Sequence, residues 1–195
     1  DLAPSALSIR LKMELELLLK SKYWMNALKN LKAYGGLRIV DSKLQNDERI
    51  IEKISIAKKS NIEPLTALVY QSKNPITLAK RLHLTQQQQQ IIEGACKLNK
   101  YLRNIISNNI YRNWAPSKWT TILEEINVNE SCFILEICKE NPLKEYLKYW
   151  LFNWKFIESP IKGDDLIAKG WDPGPEIGKG IKRQRMKLID EKNIY

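Results

Sequence analysis

Residues 85–107, TQQQQQIIEGACKLNKYLRNIIS, carry the longest helical pattern in the chain. Thr85 followed by Gln88 has the spacing of a capping box, in which each residue hydrogen-bonds the backbone of the other at a helix start. Apolar residues then recur at helical spacing, at Ile91, Ile92, Ala95 and Leu98. The glutamine run therefore fits a solvated first helical turn better than a low-complexity tract.

The same period recurs on both sides of this segment. A first helix has the apolar spacing of Leu7, Leu11, Leu15 and Leu18, and we expect it to be broadly buried. Further helices are predicted over about 24–34, 47–58 and 63–70. Proline at a first helical position lacks only an N–H that would be unpaired anyway, so Asn74-Pro75, Pro116 and Asn141-Pro142 each predict a helix start.

A shorter helix is predicted from about residue 129, with Phe133, Ile134 and Ile137 on its apolar side. The helix after Pro142 is the most aromatic, and aromatic residues at helical spacing usually belong to a core. No segment alternates apolar and polar residues as a strand would. We therefore predict an all-α fold, an elongated multi-helix array without a sheet.

The composition indicates a soluble globular protein, with 195 residues, 44% hydrophobic and 28% charged. No apolar run approaches the roughly 20 residues that span a bilayer, and the first residues lack the pattern of a signal peptide. We therefore expect a cytoplasmic protein without membrane association. Because the chain begins at Asp1 and not at methionine, we also expect further residues to precede it.

Cysteine and histidine are too few for a metal or disulfide framework. Cys96, Cys132 and Cys138 form no C-x-x-C pair, and His83 is the single histidine. A structural zinc site needs about four nitrogen or sulfur ligands at close spacing. We therefore predict no metal site and a reducing compartment.

A net charge of +10 is the strongest global signal, because polyphosphate partners reward clustered lysine and arginine through counterion release. A cluster of basic residues lies at the end of the stretch 162–187, KGDDLIAKGWDPGPEIGKGIKRQRMK. An aspartate at 164 or 165 is predicted to cap a short helix that Gly170 ends. Pro175 is predicted to open the final helix.

Two features of the final helix require an explanation. Gly178 and Gly180 each cost about 1 kcal/mol relative to alanine, which close approach by RNA or by the preceding helix would offset. Between Ile177 and Ile189 there are basic residues and no acid, and the period places these on the outer face: Lys179, Lys182, Arg183, Arg185 and Lys187. Such a face suits the phosphates of A-form RNA, whereas an ordinary soluble surface intersperses both signs.

The two ends of the chain resemble a known family. Arg10-Leu-Lys-Met-Glu-Leu15, with Ala27-Leu28, Leu31 and Gly35, is similar to the neck motifs of class II tRNA nucleotidyltransferases, the CCA-adding and bacterial poly(A) polymerase family. Gly163-Asp-Asp-Leu166, Gly170 and Pro173-Gly-Pro-Glu-Ile-Gly178 resemble that family's tail motif. The middle, about 46–160, matches only as a helical body.

The resemblance implies a neck at 1–45, a body at 46–160 and a basic tail at 161–195. It implies that catalysis, with Mg²⁺ and a nucleoside triphosphate, belongs to a head domain absent from these residues, so that the chain alone has no catalytic residue and no cofactor. Arg10 and Glu14 can pair at i, i+4, and the resemblance implies a further role in bracing the nucleotide-binding wall of the head.

The resemblance also implies a partner, the acceptor-T arm and elbow of tRNA. The predicted RNA-binding residues are Lys162, Gly174, Gly178, Lys179, Lys182, Arg183, Arg185 and Lys187. Two alternatives stay open: a helical scaffold that docks a protein partner, and a duplex-DNA backbone binder that also uses a glycine turn between short helices. Nucleotide specificity lies in the absent head, and a homo-oligomer is compatible with the sequence.

Overall fold

The computed structural model describes residues 4–126, 131–132, 135 and 143–192. Over these residues the fold is all-α, with no strand, as predicted. The helices of the N-terminal half are α1 (Pro4–Lys20), α2 (Trp24–Ala33), α3 (Leu37–Val40), α4 (Ser42–Asn46), α5 (Ile50–Lys59), α6 (Pro64–Tyr70) and α7 (Pro75–Arg81). They are followed by α8 (Gln86–Asn108), α9 (Pro116–Ile126), α10 (Lys144–Phe152), a 3-10 turn (Trp154–Phe156), α11 (Gly163–Ile167) and α12 (Pro175–Glu191).

The chain forms two compact units, and the first comprises Asp1–Tyr101 with Val128–Asn141. Its core lies where α1 packs on α2 and α6, and where α6 packs on α5 and α7. Glu63 caps α6 by accepting hydrogen bonds from two N–H groups of its first turn. The fully buried side chains of this core include Leu28, Leu37, Leu44, Ile50, Ile54, Leu65 and Leu68.

The second unit comprises Leu102–Asn127 with Pro142–Tyr195. Within it, α9 packs against α10 and α12, and α12 packs on α11. Trp119 is fully buried and stacks on Tyr146, with ring centroids 5.1 Å apart. The core of the second unit therefore combines buried tryptophans, Trp119, Trp150 and Trp154, with leucine and isoleucine side chains, and α12 is anchored to it through Ile189.

The capping box that begins α8 is confirmed. The Thr85 N–H donates to the Gln88 side-chain oxygen at 2.9 Å, and the Gln88 N–H donates to the Thr85 hydroxyl at 3.3 Å. The prolines at 75 and 116 each begin a helix, as predicted. The helix expected from about residue 129, with Phe133, Ile134 and Ile137, and the start at Asn141-Pro142 lie outside the described residues.

The expectation that the first helix is broadly buried is wrong. Leu15 and Leu19 are buried, but the side chains of Leu7, Met13 and Leu17 are each more than half exposed. The physical reason is that, among the described residues, α1 packs on α2 and α6 and its buried side chains Leu15 and Leu19 share one face. Its apolar pattern extends around the helix, whereas its packing does not.

Candidate nucleic-acid interface

The short helix α11 has a defined start and a defined end. The Lys162 N–H donates to the Asp165 carboxylate at 2.7 Å, which satisfies one backbone donor before the helix begins. Gly170 follows with a φ of +87°, in the left-handed region that glycine adopts without strain. The Trp171 N–H then donates to the Leu166 carbonyl at 3.1 Å. The predicted capping role of an aspartate and the predicted stop at Gly170 are both confirmed.

Gly180 allows α12 to pack closely on α11. A Cβ at Gly180 would lie 3.0 Å from Leu166 Cδ1 and 3.1 Å from Trp171 Cζ3, closer than ordinary van der Waals contact. The close approach of Leu166 and Trp171 therefore accounts for a glycine at position 180 in the helix. Of the two explanations left open by the sequence, packing against the preceding helix holds for this glycine.

Gly174 and Gly178 are different, because the space beside them is open. No atom lies within 4 Å of a Cβ built at either position. The cost of Gly178 inside α12, about 1 kcal/mol relative to alanine, is not offset by any packing in the described part of the chain. The surface at the start of α12 is consequently accessible to close approach from outside.

Lys179, Arg183 and Lys187 recur at i, i+4 and i+8, so they form one stripe along the solvent side of α12. Lys182 lies on the flank of this stripe, and all four side chains are exposed. Within the described residues, Lys182 and Arg183 make no ion pair. We call these four residues the cationic stripe.

Acids at the two ends of α12 reduce the charge of the cationic stripe. Glu176 accepts a hydrogen bond from Lys179 at 2.6 Å, and Glu191 lies 3.7 Å from the Lys187 ammonium. Both pairs are more than half exposed, so solvent and salt screen them and each contributes little to stability. The strongest uncompensated charge therefore lies at the middle of the helix.

The exposed ammonium of Lys162 belongs to the same region of the second unit. A Cβ at Gly163 would be 3.5 Å from Ile177 Cγ2, which places the start of α11 against the first turn of α12. Lys162, Gly174 and Gly178 are thus brought together around the start of α12. The cationic stripe continues from there along the helix.

Arg185 is not on the outer face, and this part of the prediction is wrong. Its guanidinium pairs with Glu124 at 2.7 Å, with the two side chains only 18% and 33% exposed. It also donates to the Ile157 carbonyl at 2.6 Å and to the Lys155 carbonyl at 3.3 Å. Around Arg185, α12 contacts both α9 and the segment 155–157. The solvent-exposed face of the helix is therefore narrower there than the helical period of the sequence predicts.

Arg10 and Glu14 are both exposed on α1, and no ion pair joins them. Among the described residues of this helix, the pair that forms is Lys12 with Glu16, at 3.8 Å. Two long exposed side chains lose conformational entropy when they pair and gain little in water. The predicted pairing is therefore not formed.

The second unit contains an aromatic cavity that the sequence pattern does not predict. Phe152 and Phe156 are 59% and 66% exposed, and they line a cavity of about 450 Å³ with Tyr149, Trp154 and Lys192. The helical spacing of the aromatic residues after Pro142 predicts a core and does not predict this cavity. The available signal was the spacing of Tyr149 and Phe152 on the face of α10 opposite the buried residues Leu147, Trp150 and Leu151.

Histidine, cysteine and carboxylate side chains of the described residues do not form a metal site. Burial, and after it the Glu93 carboxylate, raises the pKa of the Cys96 thiol. That thiol is therefore protonated at neutral pH and is not the thiolate that a cysteine nucleophile requires.

No helix in the described part of the chain has both the length and the apolar composition that crossing a bilayer requires.

Comparison with known proteins gives no further guide to function. No protein-family model, no curated protein and no solved structure matches the chain. The residues and their geometry are therefore the basis for proposing a function.

Proposed function

We propose that this chain is an RNA-binding helical region that holds folded RNA by its phosphate backbone. The observation that carries the proposal is the exposed cationic stripe on α12, in which Lys182 and Arg183 form no ion pair with any other described residue. Lysine and arginine ordered on a rigid helix attract phosphates and release their counterions. The open glycines at the start of α12 would let a backbone come close.

The resemblance of the neck and tail motifs supplies the identity of the RNA. We propose that the chain positions tRNA, through its acceptor-T arm and elbow, for nucleotide addition at the 3′ end, as the tail of a tRNA nucleotidyltransferase-like protein would. Mg²⁺ and the nucleoside triphosphate would bind a head domain, and the residues of this chain would take no part in the chemistry. We propose that this work takes place in the cytoplasm.

The double variant Lys182→Glu/Arg183→Glu tests the proposal. If both side chains contact phosphates, tRNA binding weakens and the slope of log affinity against log salt falls in magnitude by about 2. The matched control is Lys29→Glu/Arg38→Glu, which makes the same change in net charge on exposed residues of the first unit. Equal affinity of both variants for tRNA would contradict the proposal.

Competition separates tRNA from duplex DNA. An RNA-backbone binder is displaced from labelled tRNA by unlabelled tRNA and much less by a DNA duplex of equal length, because A-form RNA presents 2′-hydroxyls and a wide, shallow minor groove. Equal displacement by both would favour the duplex-DNA binder instead.

A second candidate function, a helical interaction scaffold, is favoured by the outer face of α1. Ile9, Met13 and Leu17 recur at i, i+4 and i+8 and are exposed, on the side away from Leu15 and Leu19. An apolar stripe of this kind is typical of a surface that packs on another helix.

The charges beside this stripe favour a second copy of the chain in antiparallel orientation. Arg10 and Glu14 are exposed on one flank, and a two-fold axis at the level of Lys12 would bring Arg10 of one copy close to Glu14 of the other. Sedimentation of the full chain would then show a dimer that Met13→Glu converts to a monomer. A monomer at all concentrations for the unaltered chain would exclude this assembly.

A further inference from the structure

The aromatic cavity of the second unit lies beside the C-terminal end of α12. It has a volume of about 450 Å³, which is within the range of sites that hold small organic groups. Four of its eight described lining residues are aromatic side chains of α10 and the 3-10 turn, and Ile189 and Lys192 line it from the C-terminal end of α12.

Two of the four rings that line the cavity stack on each other. They are Tyr149 and Trp154, with centroids 5.9 Å apart and planes inclined by 16°, which gives the cavity a flat wall. Phe152 and Phe156 lie at its edge with more than half of their surface in water. Large rings with this exposure, grouped around one cavity, indicate a surface that binds a partner group.

The charged and polar groups of the cavity indicate which kind of ring-containing ligand it would bind. Lys192 is the charged side chain among the described lining residues, and no carboxylate is among them. The Lys155 ammonium lies 4.9 Å from the centroid of the Phe156 ring, so a second cation is at the edge. Asn153 adds an amide that both donates and accepts hydrogen bonds. An anionic ligand with a planar ring and a polar edge satisfies all of these groups.

We propose that this cavity receives one unpaired nucleobase of the bound RNA, with the adjoining phosphate near Lys192. The inference rests on the proposed RNA-binding function and deepens it. Stacking on aromatic side chains holds bases of any sequence, because every base has a π face. Phosphate and lysine have opposite charges, whereas an apolar peptide side chain would leave the lysine and the amide without partners.

The cavity is also placed to act together with the cationic stripe. Arg183 and Lys192 are nine positions apart, at the middle and at the end of one helix, which corresponds to a rise of about 14 Å. A paired region whose phosphates contact the stripe could thus continue into an unpaired nucleotide at the cavity. The stripe would hold the backbone, and the cavity would distinguish RNA with an accessible base from a continuous duplex.

The test compares two RNA hairpins that are identical except for one unpaired uridine, using the full chain. We expect the hairpin with the unpaired uridine to bind more tightly. Phe152→Ala/Phe156→Ala should weaken binding of that hairpin by about 5- to 100-fold and leave the fully paired hairpin nearly unchanged. Tyr34→Ala, which removes a highly exposed ring from the first unit, is the matched control and should change neither.

Photocrosslinking gives a second measurement that does not depend on a variant. With 5-iodouridine at the unpaired position, irradiation should join the RNA to an aromatic residue of 149–156. Equal binding of both hairpins, or crosslinks only to residues outside the cavity, would overturn the cavity assignment and leave the RNA-binding proposal standing. Failure of both hairpins to bind would overturn the two together. Displacement of the crosslink by an apolar peptide and not by uridine monophosphate would assign the cavity to a protein partner.

Discussion

Two glycines on α12 that are close in sequence have opposite surroundings. Gly180 is buried against Leu166 and Trp171, whereas the space beside Gly178 is open. A substitution of Gly178 by alanine can therefore affect stability and binding differently. The added methyl group contacts solvent in the free protein and RNA in the proposed complex.

Gly178→Ala should stabilise the free protein and weaken RNA binding. The gain in stability is about 1 kcal/mol, since alanine has the higher helix propensity and nothing clashes with its Cβ. Thermal unfolding and tRNA titration of the same sample measure the two effects. A stabilised variant with unchanged affinity would show that no RNA approaches this position.

Arg185 should be a stabilising residue and not an RNA contact. Its pairing with Glu124 is mostly shielded from water, so Arg185→Ala leaves a carboxylate and two carbonyls without their donor. We expect a loss of about 2–3 kcal/mol in the free energy of unfolding. Urea denaturation followed by tryptophan fluorescence reports mainly on the second unit, which contains every tryptophan except Trp24.

The neighbouring Arg183 is the internal control for this prediction. It is exposed and has no acidic partner in the described residues, so Arg183→Ala should change stability by less than about 0.5 kcal/mol. If Arg183→Ala destabilised the protein as much as Arg185→Ala, the division between a solvent side and a packed side of α12 would be wrong.

At the scale of the helix, α12 combines a cationic middle with acids at its ends. Glu176 lies in the first turn, where its negative charge interacts favourably with the helix dipole and stabilises the helix. It also pairs with Lys179 and reduces the positive charge available there. Glu176→Gln should therefore tighten RNA binding a few-fold and lower helix stability by about 0.3–1 kcal/mol. Filter binding at low salt measures the first effect, and the gain should vanish at high salt. A weaker complex would mean that Glu176 itself contacts the RNA.

Helix positions were predictable from the sequence because local signals specify them. The capping box at Thr85 and Gln88, the stop at Gly170 and the start at Pro175 depend on residues within one or two turns of each other. The packing of each helix was less predictable. Arg185 is held by Glu124, 61 residues away, and nothing in the local period of α12 indicates such a partner.

The same reason explains the two other differences from expectation. The apolar residues of α1 repeat around most of the helix, and only tertiary packing determines that Leu15 is buried and Met13 is exposed. The aromatic residues near α10 look alike in sequence, and the end of the helix at Asn153, followed by a 3-10 turn, leaves Trp154 buried and Phe156 exposed. Four of the five predicted stripe cations were placed correctly, because solvent exposure is the default for a long charged side chain.

At the scale of the whole molecule, the net charge of +10 would attract any polyanion, so affinity alone does not identify the binding surface. The salt dependence is more specific, since each neutralised phosphate contributes about 0.7–0.9 to the slope of log affinity against log salt. If the four residues of the cationic stripe are the contacts, the slope for tRNA is about −3 to −4, and affinity falls roughly 100-fold between about 50 and 200 mM salt. Fluorescence anisotropy of labelled tRNA over this range measures the slope directly. A slope near zero would favour the scaffold function, and a much steeper slope would require cations outside α12.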